Sequence, residues 1–239
     1  MSIAAPLTAP ATRAGDQRVV LPGVGWEGYE TILKLKGDRR YPKMVYLDGS
    51  VSFVSPSYSH ELIKERLASF LSEVLIGLGV RHLPAGSTTF RKEAKRGGVE
   101  GDLTYYLSHW ERIRGKTEID LRVDPPPDLA IDVVVSPSTD DAIEAWRRLG
   151  VPEVWVCDES QVVILQLDAD GRYARVGQSL GVPALAAAEI HAWARRDLDD
   201  ALAYVVDLRR WVAEVLVPRH RELAAKLPTP DREPGNPET

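Results

Sequence analysis

Apolar positions along the chain change period several times, and each change marks an element. Trp26, Tyr29, Ile32 and Leu33 recur at helical spacing and predict a first helix. Two short runs follow, MVYL and VSFV, joined by Asp48-Gly49, a dipeptide suited to a two-residue hairpin turn. Leu62, Ile63, Leu67, Phe70, Leu71, Val74 and Leu75 then form one stripe, predicting a long amphipathic helix that Ser59 can cap and that ends near Gly77 and Gly79. Strand candidates lie around 80–83, 87–91 and 102–107, the last two separated by the polar stretch KEAKRGGVEG. Three prolines after Asp124 exclude a helix start and lead into LAIDVVV, dense enough to read as a strand buried on both faces. A short helix capped by Thr139 or Asp140 runs to Leu149, Gly150 stops it, and VPEVWVCD is a second buried strand. The order strand, helix, strand argues for a parallel pair with a right-handed crossover. Residues 161–176 read as a hairpin turning at Asp168 to Gly171, and helical periodicity returns from Ala186 and from Leu198 to Lys226, interrupted at Pro218.

The two ends break this pattern. Residues 1–18 and 227–239 are rich in proline and poor in large apolar side chains, so a flexible N-terminal arm and a disordered tail are expected. Between them the reading is an α/β domain over 19–195, a mixed central β-sheet flanked by helices, with a C-terminal helical extension over 196–226. No apolar run approaches the roughly 20 residues that span a bilayer, and MSIAAPLTAPATRAG lacks the basic start and apolar centre of a signal peptide, so a cytoplasmic protein is expected. Lys and Arg total 30 against 35 Asp and Glu, so a nucleic-acid site has to be a local patch. The single Cys157 excludes an intramolecular disulfide and a Cys-based zinc site, and His60, His82, His109, His191 and His220 have no ligand spacing.

The usual phosphate-loop, dinucleotide, zincin and hydrolase-elbow motifs are absent. What stands out is an acid inside an apolar strand, which is costly unless its charge is paired or binds a cation. Asp132 lies between Ile131 and Val133, and Asp102 opens the run DLTYYL thirty residues earlier. Two carboxylates from neighbouring strands repel each other, and a divalent cation stabilises both in ionised form. Mg²⁺, with Mn²⁺ as a substitute, takes oxygen ligands, keeps several waters and can act on a phosphodiester. The plainer account makes Asp132 a paired or edge-exposed acid and Asp102 a strand-entry residue.

The segments YLDGSVSFVSPSYSHE, GSTTFRKEAKRGGVEGDLTYYL, DPPPDLAIDVVVSPST and LGVPEVWVCD together resemble the bacterial restriction-endonuclease-like family of the PD-(D/E)XK nuclease superfamily, over roughly residues 20 to 195. The family's Glu-Pro-Asp stands here as Glu100-Gly101-Asp102, its strand acid as Asp132, and its Pro-Asp-Leu as Pro127-Asp128-Leu129. The resemblance implies a restriction-endonuclease-like core, a Mg-dependent DNA endonuclease, and Asp102 and Asp132 as the metal-binding and catalytic pair. Three departures accompany it. The motif lysine, two residues after the second acid, is Val134 here, and the family's alternative position on the following helix is Ala142. The first motif has Gly101 for its proline, and the second acid is a shortened Asp. Arg147 and Arg148 on that helix, or Arg91 and Lys92, are candidates for the missing cation, with Arg147 as the catalytic candidate.

Glu61 and Glu65, one turn apart on the long helix beside His60, could face the strand acids, since many nucleases of the superfamily carry an additional acid there; Glu61 is the candidate, against a plain role in an exposed first helical turn. Arg91, Lys92, Lys95 and Arg96, followed by Gly97-Gly98, form a basic patch suited to a phosphate backbone, or simply a charged hairpin tip. Asp128 suits the cap of a turn. Leu202, Val205, Val206, Trp211, Val212, Val215 and Leu216 give the C-terminal helices more apolar surface than one sheet face needs, from which a homodimer is expected. The rival from another class is a noncatalytic nucleic-acid-binding or protein-interaction module that retains the nuclease fold.

Overall fold

A computed structural model describes residues 15–134, 140–196 and 200–226. The chain begins with β1 (Gln17–Leu21), α1 (Trp26–Lys36), β2 (Lys43–Leu47) and β3 (Ser50–Ser55). The hairpin between β2 and β3 turns at Asp48 and Gly49, whose φ angles of 47° and 87° are the left-handed pair that a tight right-twisting hairpin requires. Helix α2 (Tyr58–Gly77) is capped by Ser57 rather than Ser59: the Ser57 hydroxyl accepts the His60 N–H at 3.3 Å. Four short strands follow: β4 (Leu83–Pro84), β5 (Thr89–Lys92), β6 (Gly97–Glu100) and β7 (Leu103–Tyr106). After α3 (Trp110–Ile113) come β8 (Leu129–Val133), α4 (Asp140–Leu149), β9 (Glu153–Cys157), β10 (Val162–Leu167) and β11 (Tyr173–Val176), then α5 (Ala187–Arg195), α6 (Ala201–Trp211) and α7 (Val217–Lys226). β1 takes in residues 17 and 18 of the expected flexible arm.

The strands form two sheets instead of the single one expected. The six-stranded sheet has the order β11-β10-β9-β8-β7-β4; only β8 and β9 are parallel, and α4 is their crossover. The five-stranded sheet, β1-β3-β2-β6-β5, is antiparallel throughout. Its member β6 corrects the reading of KEAKRGGVEG as a polar loop, because Gly97, Gly98, Val99 and Glu100 are all buried. Two glycines conceal the strand from hydrophobic periodicity, and packing explains them: a Cβ on Gly98 would fall 2.4 Å from the Tyr29 hydroxyl oxygen. The basic patch is therefore divided among strand β5, the tight turn Glu93–Lys95 and Arg96, whose φ is 49°.

β6 and β7 are consecutive in sequence but belong to different sheets. The chain crosses between them at Gly101 and Asp102, so the first acid stands at the junction. β8 is buried along its whole length, as its density of apolar residues predicts. Leu129, Ile131 and Val133 pack with Leu67, Phe70 and Leu71 of α2, whereas Ala130 packs with Trp146 of α4. By the strand's alternation Asp132 shares the face of Ala130.

The C-terminal helices continue through Pro218 instead of breaking there. A π-helical turn, Val212–Leu216, links α6 to α7; the wider turn accommodates a proline that lacks an N–H and whose ring would press on the carbonyl four residues back. Tyr204, Leu208, Val212 and Leu216 face the same core as α2. The approach is close: a Cβ on Gly77 would lie 2.5 Å from Val212 Cγ1.

Candidate active site

Asp102 and Asp132 meet where the two sheets join. The Asp102 N–H donates to Ile131 O at 3.2 Å and to Asp132 Oδ1 at 3.3 Å, and Asp102 Oδ2 accepts the Val133 N–H at 2.8 Å. Asp132 Oδ2 accepts from Trp146 Nε1 at 2.7 Å. The same indole accounts for Gly101: a Cβ there would come within 2.8 Å of Trp146 Cζ2, so the space that a proline side chain would need is taken.

The remaining partners of Asp102 are Lys43, which the sequence reading does not assign to the centre, and His60, which it names only beside Glu61 and Glu65. Asp102 Oδ1 accepts from Lys43 Nζ at 2.5 Å, reaching over from the start of β2, and from His60 Nε2 at 2.8 Å in the first turn of α2. His60 Nδ1 lies 2.8 Å from Asp16 Oδ2. Both ring nitrogens thus face carboxylates, which only accept when ionised, so the ring carries both protons and is an imidazolium. Burial lowers the His60 pKa, but the hydrogen bonds to Asp102 and Asp16 prevail and take it to about 9. Burial acts against Lys43 as well, and the charges of Asp102 and Asp132 overcome it to raise its pKa.

The two acids diverge. Asp102 and Asp132 are 3% and 5% exposed. Burial would raise Asp102, but Lys43 and His60 hold it below the ordinary carboxylate range. Asp132 is raised by burial and then by the charge of Asp102, which Lys43 and the Trp146 hydrogen bond offset only in part. Both cations contact Asp102, and Asp132 has the Trp146 N–H and the Asp102 N–H instead.

A cavity of about 90 Å³ opens beside them, enough for several waters. Asp16, Arg18, Lys43, His60, Glu100, Asp102, Asp132 and Asp141 line it together with Val45 and Val54. Val134 and Ala142, where a motif lysine would stand, line it too. At these two positions the wall is apolar, and Lys43 supplies a cation from the five-stranded sheet. Lys43 stands at the mouth of the apolar run MVYL, a weaker signal than the acid inside LAIDVVV. The burial of His60 and its link to Asp16, 44 residues away, have no sequence signature.

The other expected site residues lie elsewhere. Arg147 donates to both oxygens of Glu144 and to Gly171 O, and Arg148 pairs with Glu144 and Asp48. Neither is among the described lining residues of the cavity, because local carboxylates engage both guanidiniums. Glu61 accepts from the Tyr41 hydroxyl and Lys64 Nζ, each at 2.6 Å, and Glu65 is exposed; it is their neighbour His60 that reaches Asp102. Arg91 pairs with Glu30 and Arg96 with Asp48, Lys95 is exposed, and Lys92 lines a separate groove of mixed charge with Glu30 and Asp120. Asp128 gathers the N–H groups of Leu107 and His109 and the Ser108 hydroxyl, holding the loop after β7. Glu100 accepts from Lys36, from the Met44 N–H and from Thr89.

The donor set suits a hard divalent ion. Two carboxylates offer about eight lone-pair positions, and five described donors engage them. Among the described residues no group of three or more His, Cys, Asp or Glu side chains is arranged to hold a metal ion. Mg²⁺ commonly takes one or two carboxylates and keeps its waters, and Asp102 and Asp132 are the two carboxylates that would hold it.

The mixed α/β architecture, with its paired acids at a sheet junction, is of the restriction-endonuclease-like class. Residues 26–199 match the family model Uma2, described as "Putative restriction endonuclease", and the chain belongs to that family. Among solved structures it is similar to a nuclease, titled putative and belonging to DUF820, from Anabaena variabilis ATCC 29413; identity is 16%, the TM-score 0.49, and the likeness covers 67% of this chain and 96% of that one. No curated protein matches the sequence. Among the described residues no helix is long and apolar enough to cross a membrane.

Proposed function

We propose that this chain is a Mg²⁺- or Mn²⁺-dependent endonuclease acting on DNA, with Asp102 and Asp132 as metal-holding acids and Lys43 in place of the absent motif lysine. The observation that carries the reading is the meeting of the two acids in one cavity, with Lys43 Nζ 2.5 Å from Asp102. Family membership supports DNA as the substrate. A divalent ion held by the two acids supplies charge stabilisation at the phosphoryl group and a more acidic water. Lys43 can move from Asp102 to a phosphoryl oxygen and neutralise charge that develops there. His60 stays on Asp102 and keeps its carboxylate from turning, while Val45, Val54, Val134 and Ala142 limit water around the reacting group. Lys92 and Lys95, on β5 and the turn after it, can meet phosphates farther along the strand. A cytoplasmic protein acting as a homodimer completes the proposal, since a twofold pair cuts both strands.

The test is cleavage of supercoiled and linear duplex DNA with Mg²⁺ or Mn²⁺, comparing wild type with Asp102→Asn, Asp132→Asn and Lys43→Met. Each variant should lose about 100-fold or more in rate. Cleavage that survives both acid substitutions overturns the assignment. One observation favours the rival reading: Lys43 and His60 already bring two positive charges to Asp102 Oδ1. A folded protein that binds DNA but takes up no Mn²⁺ would be such a noncatalytic module.

A further inference from the structure

The family-matched segment begins at residue 26, yet Asp16 and Arg18, which line the cavity, precede it. They flank the first residue of β1, a strand that among the described residues pairs with β3 alone and whose Val19, Val20 and Leu21 are exposed. Such a strand gains little from apolar burial, and its better-buried side chains are the polar ones turned to the cavity. Asp16 Oδ1 accepts the Ser57 N–H at 2.8 Å, and Asp16 Oδ2 lies 2.8 Å from His60 Nδ1. Arg18 donates to Ser52 Oγ at 2.9 Å and pairs with Asp141 in the first turn of α4.

We propose that Asp16, at the entry to this N-terminal strand, is the positioning residue for His60, holding the ring so that its Nε2–H stays on Asp102 Oδ1. The proposal rests on the assignment of Asp102 above only for its effect on metal and cleavage, not for the contact itself. The His60 side chain is 1% exposed, so a Nδ1–H without an acceptor would be buried and unsatisfied. Without that acceptor nothing fixes the ring at Nδ1, and it can turn so that Nε2 leaves its 2.8 Å contact with Asp102 Oδ1. With Asp16 in place, itself anchored by the Ser57 N–H, the ring is held at both nitrogens and that alternative is closed. Asp102 is then gripped at Oδ1 by Lys43 and His60 and at Oδ2 by the Val133 N–H. Removing the partner that orients a metal-site side chain typically costs about 10–100-fold in metal affinity or activity.

The experiment uses full-length protein labelled with ¹⁵N-histidine. Metal-free wild type should give two slowly exchanging ring N–H signals from one histidine, assigned by their loss in His60→Gln. Asp16→Ala should lose the Nδ1–H signal and weaken Mn²⁺ binding and cleavage about 10–100-fold; Asp16→Asn, whose amide oxygen still accepts, should restore most of both. Val19→Gly loosens the same strand without touching His60 and should leave the ring signals and cleavage unchanged. Retention of both ring signals and of wild-type Mn²⁺ affinity in Asp16→Ala overturns the proposal. So does a Val19→Gly variant that reproduces its losses, because Asp16 would then only fasten the strand. A wild type that neither binds Mn²⁺ nor cuts DNA defeats the nuclease reading and any role in catalysis, while the ring signals still decide whether Asp16 positions His60.

Discussion

Replacing Lys43 with methionine separates a catalytic lysine from a structural one. Methionine has nearly the same reach and volume and lies against Val45 and Val54 without leaving a large void. What is lost is an ammonium 2.5 Å from Asp102 Oδ1, in a pair whose side chains are 10% and 1% exposed. Breaking a buried ion pair by removing one partner typically costs about 3–5 kcal/mol, because the other charge is stranded. Asp102 keeps His60 and the Val133 N–H, which places this loss near the lower limit, at about 3 kcal/mol. Urea unfolding in EDTA at pH 7 should show a midpoint lower by about 1 M or more. Adding Asp102→Asn should recover part of the loss, since the stranded charge is gone, and a double-mutant cycle measures the coupling. Metal and chemistry should then move in opposite directions. Losing a competing cation should tighten Mn²⁺ binding in calorimetry, whereas cleavage should fall about 100-fold or more for want of charge on the phosphoryl oxygen. If Mn²⁺ affinity and cleavage fall together, or the midpoint is unmoved, Lys43 does not have the role proposed.

Four further outcomes follow from the same geometry. Ala142→Lys in the Lys43→Met background should restore metal-dependent cleavage, since position 142 lines the same cavity; no recovery, with the variant folded and Mn²⁺ bound, shows that the opposite wall cannot serve. Gly101→Ala should destabilise by about 1–3 kcal/mol and change tryptophan fluorescence, with Trp146→Leu relieving the clash in the double variant. Asp128 is held below the ordinary carboxylate range: burial opposes this, and the His109 N–H, Ser108 hydroxyl, His109 ring and Leu107 N–H prevail. Its stabilisation is therefore present above the unfolded value near 3.8 and lost as pH falls through the lower folded value, so Asp128→Asn should cost about 1–2 kcal/mol at pH 7 and progressively less below about pH 4 in urea titrations. Leu202 and Val206, one turn apart on α6, are 70% and 47% exposed; if they form a twofold contact, sedimentation should show a dimer that Leu202→Glu dissociates to 26.5 kDa, and a wild-type monomer refutes it.

Much of the fold is legible in the sequence because its strongest signals are local. The α2 stripe, the Asp48-Gly49 hairpin and the strand, helix, strand order around LAIDVVV each rest on a few neighbouring residues, and each appears in the structure. β6 is not legible, because Gly97 and Gly98 answer to Tyr29 on another element and carry no apolar pattern. Missing β6 hides the second sheet, and with it the path by which Lys43 reaches Asp102. Asp132 stands out because an acid inside an apolar run is anomalous whatever its partners, whereas Asp102, which opens its run, is singled out as the partner acid by the family resemblance. Arg147 was the natural choice for the missing cation by nearness in sequence, but Glu144, three residues before it, engages its guanidinium. His60 and Asp16 contribute through an ion pair spanning 44 residues, which no period or spacing encodes.

Gly101, Trp146, Ala142 and Lys43 fit one physical account. The Trp146 indole caps Asp132 and occupies the volume beside residue 101, so that position takes glycine. Four residues before Trp146, one helical turn away, Ala142 faces the cavity with a methyl group, and no charge reaches the acids from there. A buried pair of carboxylates without a nearby ammonium would be unstable in the metal-free protein, so the positive charge has to come from another wall. β2 is hydrogen-bonded to β6, the strand that leads into Asp102, and thereby brings Lys43 within reach of it. What the site requires is a cation at a point in space, and two different sheets border that point. A lysine 59 positions before the first acid can therefore meet a need that the family's pattern would place beyond the second.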